Sequence, residues 1–184
     1  LRKKPIVIVG SGFAGANTAL QLKKYGLEEP IIIIDSQKSF VFKPLMYEVL
    51  SGEIKSWEVT PSLETIFANS GITFFQNELI EVEFSKNFLK FKDGLKIDYQ
   101  YLVLCTGSSH NTFSIQGVDE FCYFFNDIKD LDRLNYLLEM ESNKINKENI
   151  FIVGAGPSGV ELACKLSDLY SDKFNIQIIE KSNE

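Results

Sequence analysis

Two glycine-rich stretches, Gly10-Ser11-Gly12-Phe13-Ala14-Gly15 and Gly154-Ala155-Gly156-Pro157-Ser158-Gly159, constrain this chain more than any other feature. Each one follows a short apolar run. Pro5 to Val9 precedes the first and Ile150 to Val153 the second. Each also leads into a helical pattern, marked by Ala16, Ala19, Leu20 and Leu22 up to Gly26 in the first copy and running to Tyr170 in the second. A second apolar run closes each copy on an acid, with Ile31 to Ile34 ending in Asp35 and Ile176 to Ile179 ending in Glu180. Continuous β-branched runs suit parallel strands buried on both faces, and such strands need a helical crossover. The chain therefore reads as a duplicated βαβ unit.

A glycine triplet alone is weak evidence, but here the strand, the helix and the acid about 20–25 residues on are all present. The first glycine permits a tight turn, the second lets the backbone approach a pyrophosphate, and the third lets helix and strand pack closely. The helix N-terminus adds N–H donors and a positive dipole for the anion. Asp35 and Glu180 would accept hydrogen bonds from ribose hydroxyls, and their charge would disfavour a 2′-phosphate. Two dinucleotide sites on one chain have a chemical use: one holds a flavin, the other a nicotinamide, and hydride passes between aligned rings. The cofactors expected are FAD at the first loop and NAD(P)H at the second.

Between the copies, Phe40 to Leu45 leads to a short helix at Met46 to Leu50, and another is expected at Ser62 to Ala68 with Pro61 in its first turn. Strands follow at Ile72 to Phe75 and Leu79 to Phe84. Phe88 to Phe91 and Leu95 to Tyr99 flank Asp93-Gly94, a hairpin signal. Tyr101 to Cys105 returns to the buried-strand type, and Asp127 to Glu141 is an amphipathic helix with an acidic start. The polar stretch Ser142 to Asn149 reads as a linker. The expected fold class is α/β: a Rossmann-like FAD-binding domain with a small antiparallel β-meander over 1–125, then the start of a second Rossmann-like NAD(P)H-binding domain over 126–184.

The net charge of −6 argues against nucleic acid as a partner, since phosphate backbones need a positive surface. Cys105, Cys122 and Cys164 form no pair in sequence, which fits a reducing compartment. No metal site is expected. No apolar run approaches the roughly 18 residues of a membrane span, and no signal peptide is visible. The chain starts at Leu1 and is expected to be part of a longer protein.

The chain resembles the two-dinucleotide flavoprotein superfamily, and within it the type II NAD(P)H:quinone dehydrogenases. The residues that carry the likeness are Ile8 to Gly15, Phe42-Lys43-Pro44-Leu45-Met46-Tyr47-Glu48-Val49-Leu50-Ser51-Gly52-Glu53, Asp98 to Gly107 and Gly154 to Ala163. The block from Phe40 to Pro61 is most similar to the plant and cyanobacterial branch associated with demethylphylloquinone and plastoquinone. Bacterial respiratory members usually carry Gln where Lys43 stands.

This resemblance implies that Gly10, Gly12, Phe13, Ala14, Gly15, Asp35 and Ser36 hold the FAD pyrophosphate and ribose. It places Lys43 and Pro44 beside the isoalloxazine, Leu79 at the adenine, and Thr106 with Gly107 over the flavin. Gly154, Gly156, Pro157, Ser158, Gly159 and Glu180 would form the nicotinamide-nucleotide site, with Glu161 near the meeting of the two rings. Lys43 and Glu161 are the residues given catalytic roles. A cation beside the flavin would stabilise its anionic reduced form, although lysines are mostly solvated, and Glu161 would equally suit the helix dipole. The implied activity is hydride transfer from NAD(P)H to flavin and onward electron transfer to a quinone. Peripheral membrane contact on the cytoplasmic side of a thylakoid or plasma membrane, through segments outside this chain, goes with that activity, and a homodimer is compatible with it.

Two alternatives stay open: another two-dinucleotide flavoprotein such as a sulfide:quinone oxidoreductase, and a non-catalytic nucleotide-binding module. His110 is expected at the surface. Cys105, Cys164 and the Phe-rich strands are expected in the core.

Overall fold

A computed structural model of the protein describes residues 3–181. By contact the chain divides into two compact units. One holds the residues up to Val41 together with Thr60–His110, and the other holds Phe42–Val59 and the residues from Asn111 onward.

The first unit is built on a four-stranded parallel sheet in the order β3-β2-β1-β7, from β1 (Ile6–Val9), β2 (Ile31–Asp35), β3 (Thr73–Gln76) and β7 (Tyr101–Leu104). β1 is central, with Ile6 opposite both Ile31 and Tyr101. That position buries all four of its residues and explains why its sequence is apolar without alternation. Helix α1 (Phe13–Lys24) buries Ala16 and Ala19 against Ile8, Ile31 and Ile33. Small side chains on that face let the helix lie close to the sheet.

The other sheet face carries an antiparallel meander, β4 (Leu79–Glu83), β5 (Phe88–Phe91) and β6 (Lys96–Asp98). Leu89 and Phe91 of β5 are fully buried with Val7, Val9 and Ile34. The β5–β6 turn forms at Asp93-Gly94 as expected, with Gly94 at φ 86° and its N–H donated to the Phe91 carbonyl at 2.9 Å. Helix α3 (Leu63–Phe67) starts one residue later than expected, at the cap Ser62. Pro61 therefore lies outside its first turn, and its carbonyl accepts the Phe40 N–H at 3.0 Å.

The second unit contains α2 (Met46–Leu50), α4 (Val118–Phe121), α5 (Ile128–Ser142), α6 (Pro157–Tyr170) and the parallel pair β8 (Glu148–Val153) and β9 (Phe174–Ile179). The expected linker is shorter than its polarity suggests. α5 extends through Ser142 and β8 begins at Glu148, because in-register pairing with Phe174 recruits the polar Glu148 and Asn149. α4 has no sequence counterpart in the expectations above, since one turn of helix carries no period.

The Phe-rich strands are only partly core: Phe91 is buried, whereas Phe84 is 68% exposed. Cys105 is half-buried, but Cys164 is exposed on α6, which corrects its expected core position. His110 is exposed, as expected. Among the described residues no helix is long and apolar enough to cross a membrane, and no group of His, Cys, Asp or Glu could hold a metal.

Candidate functional site

In the first unit, β1 feeds directly into the Gly10 turn. Gly10 sits at φ +96°, and a Cβ there would lie 2.1 Å from the Cys105 carbonyl oxygen. Gly15 is pressed against the same turn, where a Cβ would lie 1.8 Å from the Gly10 carbonyl oxygen. These two glycines are required by the protein's own packing. Gly12 is not, because nothing lies within 4 Å of where its Cβ would be. An uncrowded middle glycine fits a backbone left bare for a ligand. Gly12 also caps α1 with no side-chain acceptor, and the first turn holds no acid, so the helix end offers its N–H groups to an anion. Phe13 and Ala14 are exposed there, and Phe13 meets the edge of Phe40 at 5.0 Å.

Asp35 ends β2 beside this loop, and three donors fix its carboxylate. Ser11 gives both its backbone N–H and its hydroxyl to Oδ2 at 2.7 Å, and the Gln37 N–H reaches Oδ1 at 2.9 Å. A cleft of about 190 Å³ gathers Gly10, Asp35, Ser36, Leu79 and Thr106, five residues expected at the first dinucleotide. Gly107 follows Thr106 at φ +74°. Asn77 and Glu78 line the same cleft and were missed. Asn77 donates its backbone N–H to the Asp35 carbonyl at 2.9 Å, and Glu78 pairs with Lys92 at 2.7 Å. Neither stands in a recognisable pattern, so only the folding of β3 and β4 reveals them.

The second unit repeats the loop. A Cβ on Gly159 would lie 2.0 Å from the Gly154 carbonyl oxygen, and again the middle glycine, Gly156, has nothing within 4 Å. Pro157 occupies the first turn of α6, where its missing N–H costs nothing. Ser158 is exposed beside it. Glu180 just after β9 accepts the Ala155 N–H at 2.7 Å on Oε2 and the Lys181 N–H at 2.7 Å on Oε1. Both copies thus hold a loop N–H on the strand-end acid.

The Phe42–Val59 segment packs within this second unit. Lys43 opens a 3₁₀ turn, Lys43–Leu45, with Pro44 near its start, and the Lys43 Nζ donates to Asn126 Oδ1 at 2.8 Å. Tyr47 on α2 is buried, its ring 5.0 Å from Phe125 and its hydroxyl 3.4 Å from the Ser158 carbonyl. Burial raises the Tyr47 phenol above its ordinary range, and the nearby Glu161 carboxylate adds to the effect. Glu161 is the fifth residue of α6 and no acid lies in that helix's first turn. It lies just past that first turn, where the dipole's influence falls off, and beside the Tyr47 phenol. Glu53 is bound by Lys165 at 2.6 Å, which ties the end of α2 to α6 and lowers the Glu53 carboxyl. Glu48 Oε2 is buried without a hydrogen-bond partner among the described residues.

These two loops are those of a known family. Residues 4–184 match the model for pyridine nucleotide-disulphide oxidoreductases. The chain belongs to that family. Among curated members, it is 31% identical over 202 residues to the alternative NAD(P)H-ubiquinone oxidoreductase C1, chloroplastic/mitochondrial, of Arabidopsis thaliana, covering 98% of this chain and 39% of the relative. It is 32% identical over 188 residues to demethylphylloquinone reductase NdbB of Synechocystis, covering 97% of this chain and 46% of the relative. The oxidoreductase fold also superposes on NDH2 from Plasmodium falciparum solved with NADH, at a TM-score of 0.83 and 26% identity, covering 99% of this chain and 42% of that one. The resemblance to the plant and cyanobacterial quinone-reducing branch is therefore borne out, and the chain spans less than half the length of these relatives.

Several residues the geometry picks out had no place in the sequence expectations: Ser11 on Asp35, Asn126 on Lys43, and Phe125 on Tyr47. The second and third are paired across long sequence separations. Ser11 stood inside the quoted motif, but a motif of glycines assigns no role to the residue between them.

Proposed function

We propose that this chain supplies the dinucleotide-binding machinery of an FAD-dependent NAD(P)H:quinone oxidoreductase. The observation that carries this is the duplicated loop with its uncrowded middle glycine and loop-bound acid, Asp35 in one copy and Glu180 in the other. The likeness to quinone-reducing relatives supports the acceptor class.

Gly10, Gly12, Phe13, Ala14 and Gly15 would take the FAD pyrophosphate, with Asp35 and Ser36 at its ribose, Leu79 at the adenine, and Thr106 and Gly107 closing over it. Residues 1–125 would serve FAD and 126–184 the nicotinamide nucleotide. Gly154, Gly156, Pro157, Ser158 and Gly159 would take the second pyrophosphate and Glu180 its ribose. When bound, flavin supplies the chemistry that accepts hydride and passes electrons on to a quinone. Lys43, its ammonium oriented by Asn126, would offset negative charge on the reduced ring, with Pro44 fixing the turn. Glu161, beside the Tyr47 phenol, would lie near the meeting of the two rings. A lipophilic acceptor puts the reaction at a membrane surface, on the cytoplasmic side of a thylakoid or plasma membrane, reached peripherally. A homodimer accords with that reading.

The test is a steady-state assay of the FAD-loaded full-length protein with NADH and NADPH against naphthoquinone and benzoquinone acceptors. Quinone-dependent nucleotide oxidation is expected. A protein that carries FAD and yet oxidises neither nucleotide with any quinone would refute the proposal.

A further inference from the structure

We propose that the Ser11 hydroxyl is a positioning group that presets Asp35 for an adenosine ribose. This rests on Asp35 being the ribose acceptor of the proposed function. Ser11 is 2% exposed. Its hydroxyl and its own N–H converge on one oxygen, Asp35 Oδ2, both at 2.7 Å, while Gln37 N–H holds Oδ1 at 2.9 Å. A carboxylate offers about four acceptor sites. Three are filled from the protein, so the carboxylate is clamped in one rotamer and keeps about one site for a ribose hydroxyl. A ligand that meets an oriented acceptor does not have to order it on binding.

The repeat supplies an internal control. At the position of Ser11 it has Ala155, which gives Glu180 Oε2 a backbone N–H at 2.7 Å and has no hydroxyl to add. Strand, glycine loop and strand-end acid recur in both copies, and a hydroxyl at the residue after the first glycine occurs only in the first. Ser11 acts through Asp35 and not on the pyrophosphate.

ADP and 2′,3′-dideoxy-ADP are titrated into the chain and read by NMR at the Gln37 amide for the first loop and at the Lys181 amide for the second. Loss of a hydrogen bond to a charged group predicts that Ser11→Ala weakens ADP at the first loop roughly tenfold. Dideoxy-ADP, which lacks the ribose hydroxyls, should change less than about twofold, since its affinity never used the oriented acid. Ala155→Ser should tighten ADP at the second loop several-fold. Equal losses for both nucleotides in Ser11→Ala would make Ser11 a merely structural residue and overturn the inference, as would unchanged ADP binding in both variants. If the unaltered chain binds ADP and dideoxy-ADP equally at Gln37, Asp35 is not the ribose acceptor, and the site assignment falls together with the inference.

Discussion

Replacing Gly15 or Gly12 with alanine adds the same methyl group three residues apart and should produce opposite failures. At Gly15 the new Cβ would sit 1.8 Å from the Gly10 carbonyl oxygen, 2.9 Å from its carbon and 3.3 Å from Cys105 Cβ. The nearest approach is about 1.5 Å short of ordinary contact, and the two nearest obstructing atoms are backbone, which cannot rotate away. Overpacking of this kind costs about 3 kcal/mol at the upper end of the usual range. Alanine's better helix propensity offsets roughly 1 kcal/mol of it. The net loss is about 2 kcal/mol, or about 4–8 °C in Tm for a chain of this size. At Gly12 the methyl meets nothing within 4 Å, and φ −65° with ψ −168° is open to alanine. Stability should fall only by up to about 1 kcal/mol, from the poorer cap. FAD affinity should fall on the order of a hundredfold, since the methyl takes the space proposed for the pyrophosphate. Urea unfolding combined with amide exchange of β1 and β2 reads the first effect, and calorimetric titration with FAD reads the second. A Gly15→Ala protein as stable as the original would refute the packing argument. A Gly12→Ala protein that binds FAD undiminished would show that the phosphates do not approach there.

Tyr47 has a phenol raised by burial, so the folded state favours the neutral form. Its contribution is fully present below the ordinary value of 10.0 and is lost as pH rises through the higher folded value. Tyr47→Phe should therefore show a smaller alkaline loss of stability above pH about 10 than the parent, measured by urea midpoints, and an identical slope would count against a buried phenol. Asp127 caps α5 by accepting the Asp130 N–H at 2.9 Å, so Asp127→Ala should cost about 1 kcal/mol in denaturation. Glu180→Gln removes the charge expected to repel a 2′-phosphate, and NADPH should gain on NADH in the ratio of their kcat/KM values; no change in that ratio would remove Glu180 from nucleotide choice.

The elements most visible in the sequence were those whose environment is uniform along their length. Ile31–Ile34 and Tyr101–Leu104 read as strands because a parallel sheet covered on both faces wants unbroken apolar residues. The loops read clearly because a φ of +96° at Gly10 and a 1.8 Å approach at Gly15 admit no side chain. Less legible were elements that borrow their stability from distant partners. Glu148 and Asn149 are polar yet extended, held by the register with Phe174 and Asn175. Pro61 looked like a helix start but serves as an acceptor for Phe40.

The family, the duplicated βαβ plan and the positions of both glycine loops and both acids can be read from consecutive residues, because they depend on local backbone demands. What surrounds them follows from long-range packing. It set Ser11 on Asp35, Asn126 on Lys43 and Tyr47 beside Glu161, and it packed Phe42–Val59 with the second loop's unit. Those pairings span tens of residues, and a contact between side chains far apart in sequence leaves no local pattern from which one chain could reveal it.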